Sequence, residues 1–144
     1  MTNKHSRPIA IVTGASTGIG KHISLKLSQN NFHVLLIARN KKKLLKIKDQ
    51  IKSYGNKCTV ISADISKPNS IKKISSKLKK NDSIKVLVNN AGIGIFNSIE
   101  KISLEEWNSQ LDTNLRGSFL MTQMVASKMI AAKTGQIIFI NSVA

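Results

Sequence analysis

IAIVTGASTGIG, residues 9–20, decides the fold of this chain. It opens with a short apolar run, Ile9–Thr13, which predicts a strand, and Gly14 ends that run. Ile19, Ile23 and Leu27 then recur every four residues, which predicts that a helix follows the strand directly. The glycine-rich segment is therefore predicted to form a tight turn from a strand into a helix.

The three glycines of this turn have distinct physical uses. Gly14 permits the sharp turn out of the strand, Gly18 lets the backbone approach a pyrophosphate, and Gly20 permits close packing of helix and sheet. The free N–H groups and the dipole at the start of the helix attract phosphates. The spacing is Gly-x-x-x-Gly-x-Gly rather than the usual Gly-x-Gly-x-x-Gly, so a tight turn without a ligand is the alternative. The position between a strand and a helix favours a nucleotide-binding turn.

Apolar strand-like runs alternate with helical spacing along the rest of the chain. The further strands are predicted at Val34–Ala38, Thr59–Ala63, Ile84–Val88 and Ile137–Ile140. Because these continuous apolar strands are separated by helices, the pattern predicts an α/β fold whose parallel sheet is covered on both faces. No linker or repeat divides residues 1–144, so we expect one domain.

Start signals and apolar stripes place the remaining helices. Pro68 opens the third helix, with Ser66 as its expected cap, and Ser103 caps a long helix with Glu106 at the capping-box position. The stripes of the second and third helices are Leu44, Ile47 and Ile51, and Ile71, Ile74 and Leu78. The inner face of the long helix is expected to be Leu104, Trp107, Leu111, Leu115, Phe119, Thr122 and Met129.

Composition limits the possible functions. The 144 residues contain 23 Lys or Arg and 7 Asp or Glu, a net charge of +16, and 41% of them are hydrophobic. The single cysteine, Cys58, cannot form an internal disulfide, and no apolar run is long enough to cross a membrane, so we expect a cytoplasmic protein that uses no metal. A basic nucleic-acid-binding domain is the remote alternative, but aromatic residues make up only 4%. The lysines are scattered on predicted helix faces, at Lys41–Lys43, Lys46, Lys48, Lys52, Lys72, Lys73, Lys77, Lys79 and Lys80.

The segment after the second strand bears on the choice of nucleotide. A dinucleotide-binding fold that uses NAD carries Asp or Glu there to bind the ribose 2′-hydroxyl. This chain has Ala38, Arg39, Asn40 and Lys41 instead. A guanidinium binds a 2′-phosphate whereas a carboxylate repels one, so Arg39 favours NADP over NAD. The alternative is that Arg39 is only the first solvated residue of the next helix.

Six motifs, in order and on the expected elements, resemble those of the classical short-chain dehydrogenases/reductases. They are Thr13–Gly20, Arg39, Asp64–Ile65, Asn89–Gly92, Asn114–Gly117 and Gly135–Ala144, the last of which contains Ser142. The resemblance covers the whole chain and implies a Rossmann-type doubly wound parallel sheet, truncated after the fifth strand. It also implies an NADP-dependent enzyme that transfers a hydride between the nicotinamide and a small-molecule alcohol or carbonyl. At full length, a member of this family is expected to form a homo-oligomer.

The resemblance assigns roles to individual residues. It implies that Ser142 orients the carbonyl and that Asn114 supports a proton-relay water. It implies cofactor contacts from Gly14, Ser16, Thr17, Gly18, Ile19, Gly20, Arg39, Asp64, Ile65, Asn90, Ala91 and Gly92. The residues themselves leave alternatives open, since Asp64 can cap the third helix and Asn89 and Asn90 can close a turn. Asn114, inside an apolar stripe, needs polar partners, so it binds backbone or water or faces solvent.

The acid–base pair of that family has no counterpart in this sequence. The family uses a Tyr followed four residues later by a Lys that lowers the Tyr pKa, on the helix after the serine strand. Here the only Tyr is Tyr54, Cys58 stands four residues later, and the sequence stops at Ala144. We therefore expect the chain alone to be inactive and poorly soluble or marginally stable, as the product of a truncated gene or as a partial sequence. A non-enzymatic NADP-binding remnant or sensor is the alternative.

The same resemblance predicts uncovered apolar surface. The strand Ile137–Ile140 would lie at the edge of the sheet without the strands that follow it in the family, and an apolar edge promotes aggregation. The long helix pairs in the family with a missing helix at a dimer interface, so its uncovered stripe would be exposed.

Overall fold

The structure, a computed structural model, describes residues 7–79 and 82–142. Lys80 and the last two residues of the serine motif, Val143 and Ala144, lie outside the described residues. The strands are β1 (Ile9–Thr13), β2 (His33–Ala38), β3 (Cys58–Ser62), β4 (Ile84–Asn89) and β5 (Gln136–Phe139). The helices are α1 (Gly18–Gln29), α2 (Lys41–Ser53), α3 (Pro68–Ser75), α4 (Leu104–Leu111) and α5 (Ser118–Ala131), with a π-helical segment (Asp112–Gly117) between α4 and α5.

The strands form one parallel sheet in the order β3-β2-β1-β4-β5. The chain starts at β1 and winds first toward β3 and then, through β4, toward β5. This confirms the predicted α/β fold, a Rossmann-type doubly wound sheet. The winding direction reverses between β1 and β4, and sheets of this kind bind ligands beyond the carboxyl ends of the strands at that point.

The core has one layer on each face of the sheet. Alternate residues of β1 divide between the layers, with Ile9 and Ile11 in one and Ala10 and Val12 in the other. The layers are completed by the predicted stripe of α2, which is Leu44, Ile47 and Ile51, and by three residues of α5, which are Met121, Val125 and Met129. Burial on both faces explains why the strands are continuous apolar runs.

Small residues make the buried face of α1. They are Gly20, Ser24 and Ser28, and the Ser24 hydroxyl donates to the Gly20 carbonyl oxygen at 2.7 Å. Ile19, the first residue of the apolar spacing, is 59% exposed. The spacing therefore located the helix, whereas the small residues bring its backbone close to the sheet.

The predicted inner face of the long helix is wrong for most of its residues. Five of them are exposed: Leu104, Trp107, Leu111, Leu115 and Phe119. The buried positions are Ser118, Met121, Val125 and Met129, so only Met129 of the predicted face is buried, and Thr122 is half-buried. The three stripe residues of α4 are exposed because α4 buries none of its residues. The π-helical segment that follows changes the number of residues per turn, so the apolar spacing does not continue onto the buried face of α5. The exposure agrees with the uncovered stripe that the resemblance predicts.

The start of α3 differs from its prediction, whereas the start of α4 matches it. The N-cap of α3 is Lys67, which makes no side-chain cap hydrogen bond, so the prediction of Ser66 as the cap is wrong. Leu78 lies beyond the end of α3. Ser103 and Glu106 form the predicted capping box of α4, with both reciprocal hydrogen bonds present. The strands β3 and β5 begin and end one residue earlier than predicted, which is the usual uncertainty of element ends.

Candidate functional site

A groove of about 440 Å³ lies at the carboxyl ends of the central strands. The turns after β1, β2, β3 and β4 all contribute to it. Nine of the predicted cofactor residues line it: Gly14, Ser16, Thr17, Arg39, Asp64, Ile65, Asn90, Ala91 and Gly92. Gly18, Ile19 and Gly20 are not in the lining, although they belong to the same turn. The structure thus brings together residues that are up to 78 positions apart in the sequence.

One buried hydroxyl group holds the floor of this groove. Thr13 Oγ1 accepts hydrogen bonds from the backbone N–H groups of Asn90 and Ala91, both at 3.0 Å, and donates to the Val88 carbonyl at 3.3 Å. The Asn90 side chain reaches back and donates to the carbonyl oxygens of Thr13, at 3.1 Å, and Gly14, at 3.3 Å. The Asn90 side chain therefore connects the turn after β4 to the glycine turn after β1, rather than closing the turn to which Asn90 itself belongs.

The glycines of the turn meet different surroundings. Gly14 has a φ of +63°, and a Cβ there would lie 2.8 Å from the Ala91 Cα atom, so the close approach of the two turns requires glycine. Gly18 has a φ of +52°, and a Cβ there would meet no protein atom within 4 Å. A Cβ on Gly20 would overlap the Asn90 side chain and the Gly14 carbonyl. Gly20 therefore packs α1 against the groove floor, and the space beside Gly18 is open for a ligand.

The rim at the end of β2 is basic. Arg39, Asn40 and Lys43 line the groove there, and the first turn of α2 contains no acidic residue. Asn40 caps α2 by accepting from the Lys43 N–H group at 3.0 Å. The Arg39 carbonyl oxygen accepts from the Ser62 hydroxyl at 2.9 Å, which ties the rim to the end of β3. The positive end of the α2 dipole adds to these two cations, so an anion is favoured at this rim.

Sequence analysis missed Lys43 as a groove residue. The one indication of this role was its position, because Lys43 lies in the first turn of the helix that Asn40 caps, four positions after Arg39. In the sequence it was indistinguishable from the other lysines on helix faces.

Asp64 and Ile65 occupy the next turn of the groove. Asp64 Oδ1 accepts from both the N–H group and the hydroxyl of Ser66, at 3.0 and 2.8 Å. These bonds organise the turn before α3, but the cap of α3 is Lys67, so the alternative that Asp64 caps this helix is wrong. Ile65 is 4% exposed, and a Cβ on Gly117 would lie 2.9 Å from the Ile65 Cδ1 atom. The π-helical segment thus packs directly on this turn.

Asn114 lies in the π-helical segment and binds backbone. Its Oδ1 accepts from the Ile93 N–H group at 2.9 Å and its Nδ2 donates to the Ile93 carbonyl at 2.8 Å. Gln110 Oε1 accepts from the Ile95 N–H group at 3.0 Å in a similar way. Of the alternatives left open for Asn114, the structure shows the backbone contact, and the residue is also exposed. Gln110, which the sequence did not single out, holds the same loop.

Asn89 differs from Asn90 in that it faces the core. It is 3% exposed, and its Nδ2 donates to the Thr122 hydroxyl at 3.1 Å. Its Oδ1 is buried and has no hydrogen-bond partner among the described residues. Asn89 therefore connects the end of β4 to α5 and does not line the groove.

Ser142 and Tyr54 lie outside the groove lining. Ser142 is exposed and follows the end of β5 by three residues. Tyr54 is 51% exposed at the C-terminal cap of α2, near the opposite edge of the sheet from the groove. Cys58, at the start of β3, has its pKa raised to about 11 by burial. Neither Tyr54 nor Cys58 can exchange a proton with a ligand in the groove.

Two features are absent from residues 7–79 and 82–142. No group of three or more His, Cys, Asp or Glu side chains there is placed to hold a metal ion. None of the helices within these ranges combines the length and the apolar character that a membrane span requires.

The comparisons with known proteins point to one family. The model of the short chain dehydrogenases matches residues 8–144. The chain is 36% identical over 136 residues to the 3-oxoacyl-acyl-carrier-protein reductase FabG of Staphylococcus epidermidis, covering 93% of this chain and 56% of that protein. It is 32% identical over 136 residues to an NAD-dependent glycerol dehydrogenase of Listeria innocua, covering 90% of this chain and 50% of the relative. The chain thus spans about half the length of these relatives.

A solved structure of a short-chain oxidoreductase is also similar to this chain. The crystal structure of a metagenomic short-chain oxidoreductase in complex with NADP has a TM-score of 0.90 to this chain and 35% sequence identity. The match covers 95% of this chain and 63% of that one.

Proposed function

We propose that this chain, which belongs to the short-chain dehydrogenase family, binds NADP in the groove at the carboxyl ends of its strands. It contributes that cofactor half to an oxidoreductase that interconverts a small-molecule alcohol and its carbonyl compound. The full-length enzyme acts as a homo-oligomer. When bound, NADP supplies or accepts the hydride of this reaction.

The residues of the groove fit the parts of this cofactor. Ser16 and Thr17, with the open space beside Gly18 and the first N–H groups of α1, suit a pyrophosphate. Asp64 and Ile65 line the groove, and in this proposal they contact the adenine, as the family resemblance implies. The turn that contains Asn90, Ala91 and Gly92 forms the wall toward β4.

The observation that carries the choice of NADP is the basic rim. Arg39 and Lys43 stand beside the N-terminus of α2, where a fold that uses NAD carries a carboxylate for the 2′-hydroxyl. Membership of the family does not decide this choice, because the Listeria innocua relative is NAD-dependent. Two cations and a helix dipole favour an additional phosphate, and a guanidinium binds it through two hydrogen bonds.

Asn114 and Ser142 are the proposed polar residues of the reaction centre. Asn114 holds the Ile93 backbone through both of its side-chain atoms, which fixes the loop after β4 next to the groove. In the proposed enzyme it supports a water that relays protons, and Ser142 orients the substrate carbonyl. Both roles rest on the family resemblance.

Titration with the two cofactors tests the proposal. We expect wild-type chain to bind NADP more tightly than NAD, because Arg39 contacts the extra phosphate. Arg39→Ala should weaken NADP binding by about ten- to hundredfold and leave NAD binding unchanged. Lys46→Ala, an exposed change on α2 that is not in the groove lining, is the matched control for lost charge. Equal weakening of both cofactors, or a preference for NAD, would show that the assignment is wrong.

A second candidate function is that of a cofactor-binding protein without enzymatic activity. It is favoured by Tyr54, the only Tyr of the sequence, which lies at the far edge of the sheet from the groove. Tyr54 is then not placed to pass a proton to a carbonyl in the groove. We expect a polypeptide of these residues to show no NADPH oxidation with a panel of ketones and aldehydes. Turnover that Ser142→Ala abolishes would instead establish catalysis by these residues alone.

A further inference from the structure

A second groove lies at the amino ends of the strands, at the opposite end of the sheet from the cofactor groove. We call it the amino-edge groove; it has a volume of about 500 Å³. Its floor contains Ile9 of β1, His33 and Leu35 of β2, and Thr59 of β3. Because β1 is five residues long, it lies about 15 Å from the glycine turn. The proposed cofactor site therefore does not include it.

The rim of the amino-edge groove is strongly cationic. Four basic residues from three segments of the chain line it: Arg7, Lys57, Lys77 and Lys79. One acidic residue, Asp82, also lines it, and its Oδ2 already accepts from the Lys79 N–H group at 2.7 Å. The only ion pair among residues 7–79 and 82–142 joins Arg116 to Asp112. None of the four cations on the rim is therefore neutralised by an ion pair within those residues.

Hydrogen bonds position two side chains of the amino-edge groove, Arg7 and His33. Arg7 Nη1 donates to Asn56 Oδ1 at 2.6 Å, and Asn56 Nδ2 donates to the Ser28 carbonyl at 3.1 Å. This leaves the other N–H groups of the guanidinium available. His33 Nε2 lies 2.8 Å from the Thr59 hydroxyl oxygen. The groove therefore combines exposed lysine ammonium groups with a hydrogen-bonded guanidinium and an imidazole–hydroxyl pair.

We propose that the amino-edge groove binds a small anion of the diphosphate class, carrying two or more negative charges. The volume suits a small ligand, since ligand pockets measure about 300–1,000 Å³. The excess of cations over carboxylates suits a multiply charged anion. Among the described residues, the lining contains no Phe, Tyr or Trp side chain on which bases can stack, which disfavours a nucleic-acid strand. This site goes beyond the proposed oxidoreductase function and shares no residue with the cofactor groove.

His33 provides a probe within the groove itself. Burial lowers its pKa from the ordinary 6.5, while Asp82 raises it and Arg7 lowers it. A bound anion favours the charged imidazolium, so inorganic pyrophosphate should raise the His33 pKa measured by NMR pH titration of the ring nitrogens. His33→Gln identifies the resonance among the three histidines of the chain. Because the readout is confined to this groove, it is independent of whether NADP binds at the other edge.

Paired charge deletions separate a specific site from general attraction by the positive chain. Lys57→Gln/Lys77→Gln should weaken pyrophosphate binding, followed at His33, by about tenfold or more. The control Lys46→Gln/Lys101→Gln removes the same charge outside the groove lining and should change the affinity by less than about twofold. All four side chains are exposed, so the fold should be retained.

Three outcomes would overturn the proposal. The His33 pKa does not respond to pyrophosphate, or both double variants weaken binding equally, which indicates an effect of net charge alone. The third is that a single-stranded oligonucleotide shifts the His33 resonance, with the same dependence on Lys57 and Lys77, while pyrophosphate does not.

Discussion

At the scale of single residues, Thr13 connects two of the turns that form the cofactor groove. Its hydroxyl is fully buried and bonds to three backbone groups at the end of β4. The Asn90 side chain ties the glycine turn after β1 to the same place, because it donates to the Thr13 and Gly14 carbonyl oxygens. The side chains of Thr13 and Asn90 together therefore connect the turns after β1 and β4.

Thr13→Val tests this role because valine has nearly the same shape but no hydroxyl. The change leaves the N–H groups of Asn90 and Ala91 without their partner, so we expect the free energy of unfolding to fall by about 2–3 kcal/mol. Urea denaturation measures it. The control is Thr134→Val, whose hydroxyl is exposed and accepts only a 3.3 Å bond from Lys85, and which should change stability by less than about 0.5 kcal/mol. Equal losses in the two variants would show that the Thr13 contacts do not hold the turns together.

At the scale of helices and strands, the sequence predicted existence and type better than orientation. Each of the five predicted strands begins and ends within one residue of the observed strand. The prediction was this close because strands buried on both faces are continuous apolar runs that Gly or polar residues interrupt. The capping box of Ser103 was also predicted correctly, since it depends on two side chains three positions apart.

Helix faces were harder to predict because tertiary packing decides them. In α1 the buried residues are Gly20, Ser24 and Ser28, which carry little or no apolar surface and give no hydrophobic signal. In the long helix, the π-helical segment at Asp112–Gly117 interrupts the regular spacing of apolar residues, and no sequence pattern in that segment predicted it. The same reason explains the two missed residues, because the fold alone brings Lys43 into the groove lining and Gln110 against the Ile95 N–H group.

The capping box of α4 is a test at this scale. Ser103→Ala removes the hydroxyl that accepts from the Glu106 N–H group at 3.1 Å, and should destabilise the helix start by about 1 kcal/mol. Hydrogen exchange of the first α4 amides should then speed up by about fivefold. Ser109→Ala, an exposed change in the same helix without a side-chain hydrogen bond among the described residues, should not speed it up. Unchanged exchange in Ser103→Ala would mean that the cap contributes nothing to this helix.

At the scale of the whole molecule, the parallel sheet separates two positively charged grooves. The carboxyl ends of the strands carry the cofactor groove with Arg39 and Lys43, and the amino ends carry the amino-edge groove with its four cations. The net charge of +16 is thus partly concentrated at two places. Many exposed apolar side chains lie on α4, the π-helical segment and α5, with Leu104 74% and Leu115 66% exposed. Others lie in the loop after β4, with Phe96 89% and Ile99 85% exposed, and on the edge strand β5. The homo-oligomer implied by the family resemblance stays a prediction.

Calorimetric titration of the folded chain with NADP and NADPH tests the central claim most directly. Because a binding enthalpy can pass through zero at one temperature, the titration is run at two temperatures, on protein whose circular dichroism shows the α/β fold. We predict saturable heat with both redox forms at one site per chain, and competition between them. The absence of heat at both temperatures would contradict the claim that the turn of Gly14 to Gly20 and the rim of Arg39 hold this cofactor.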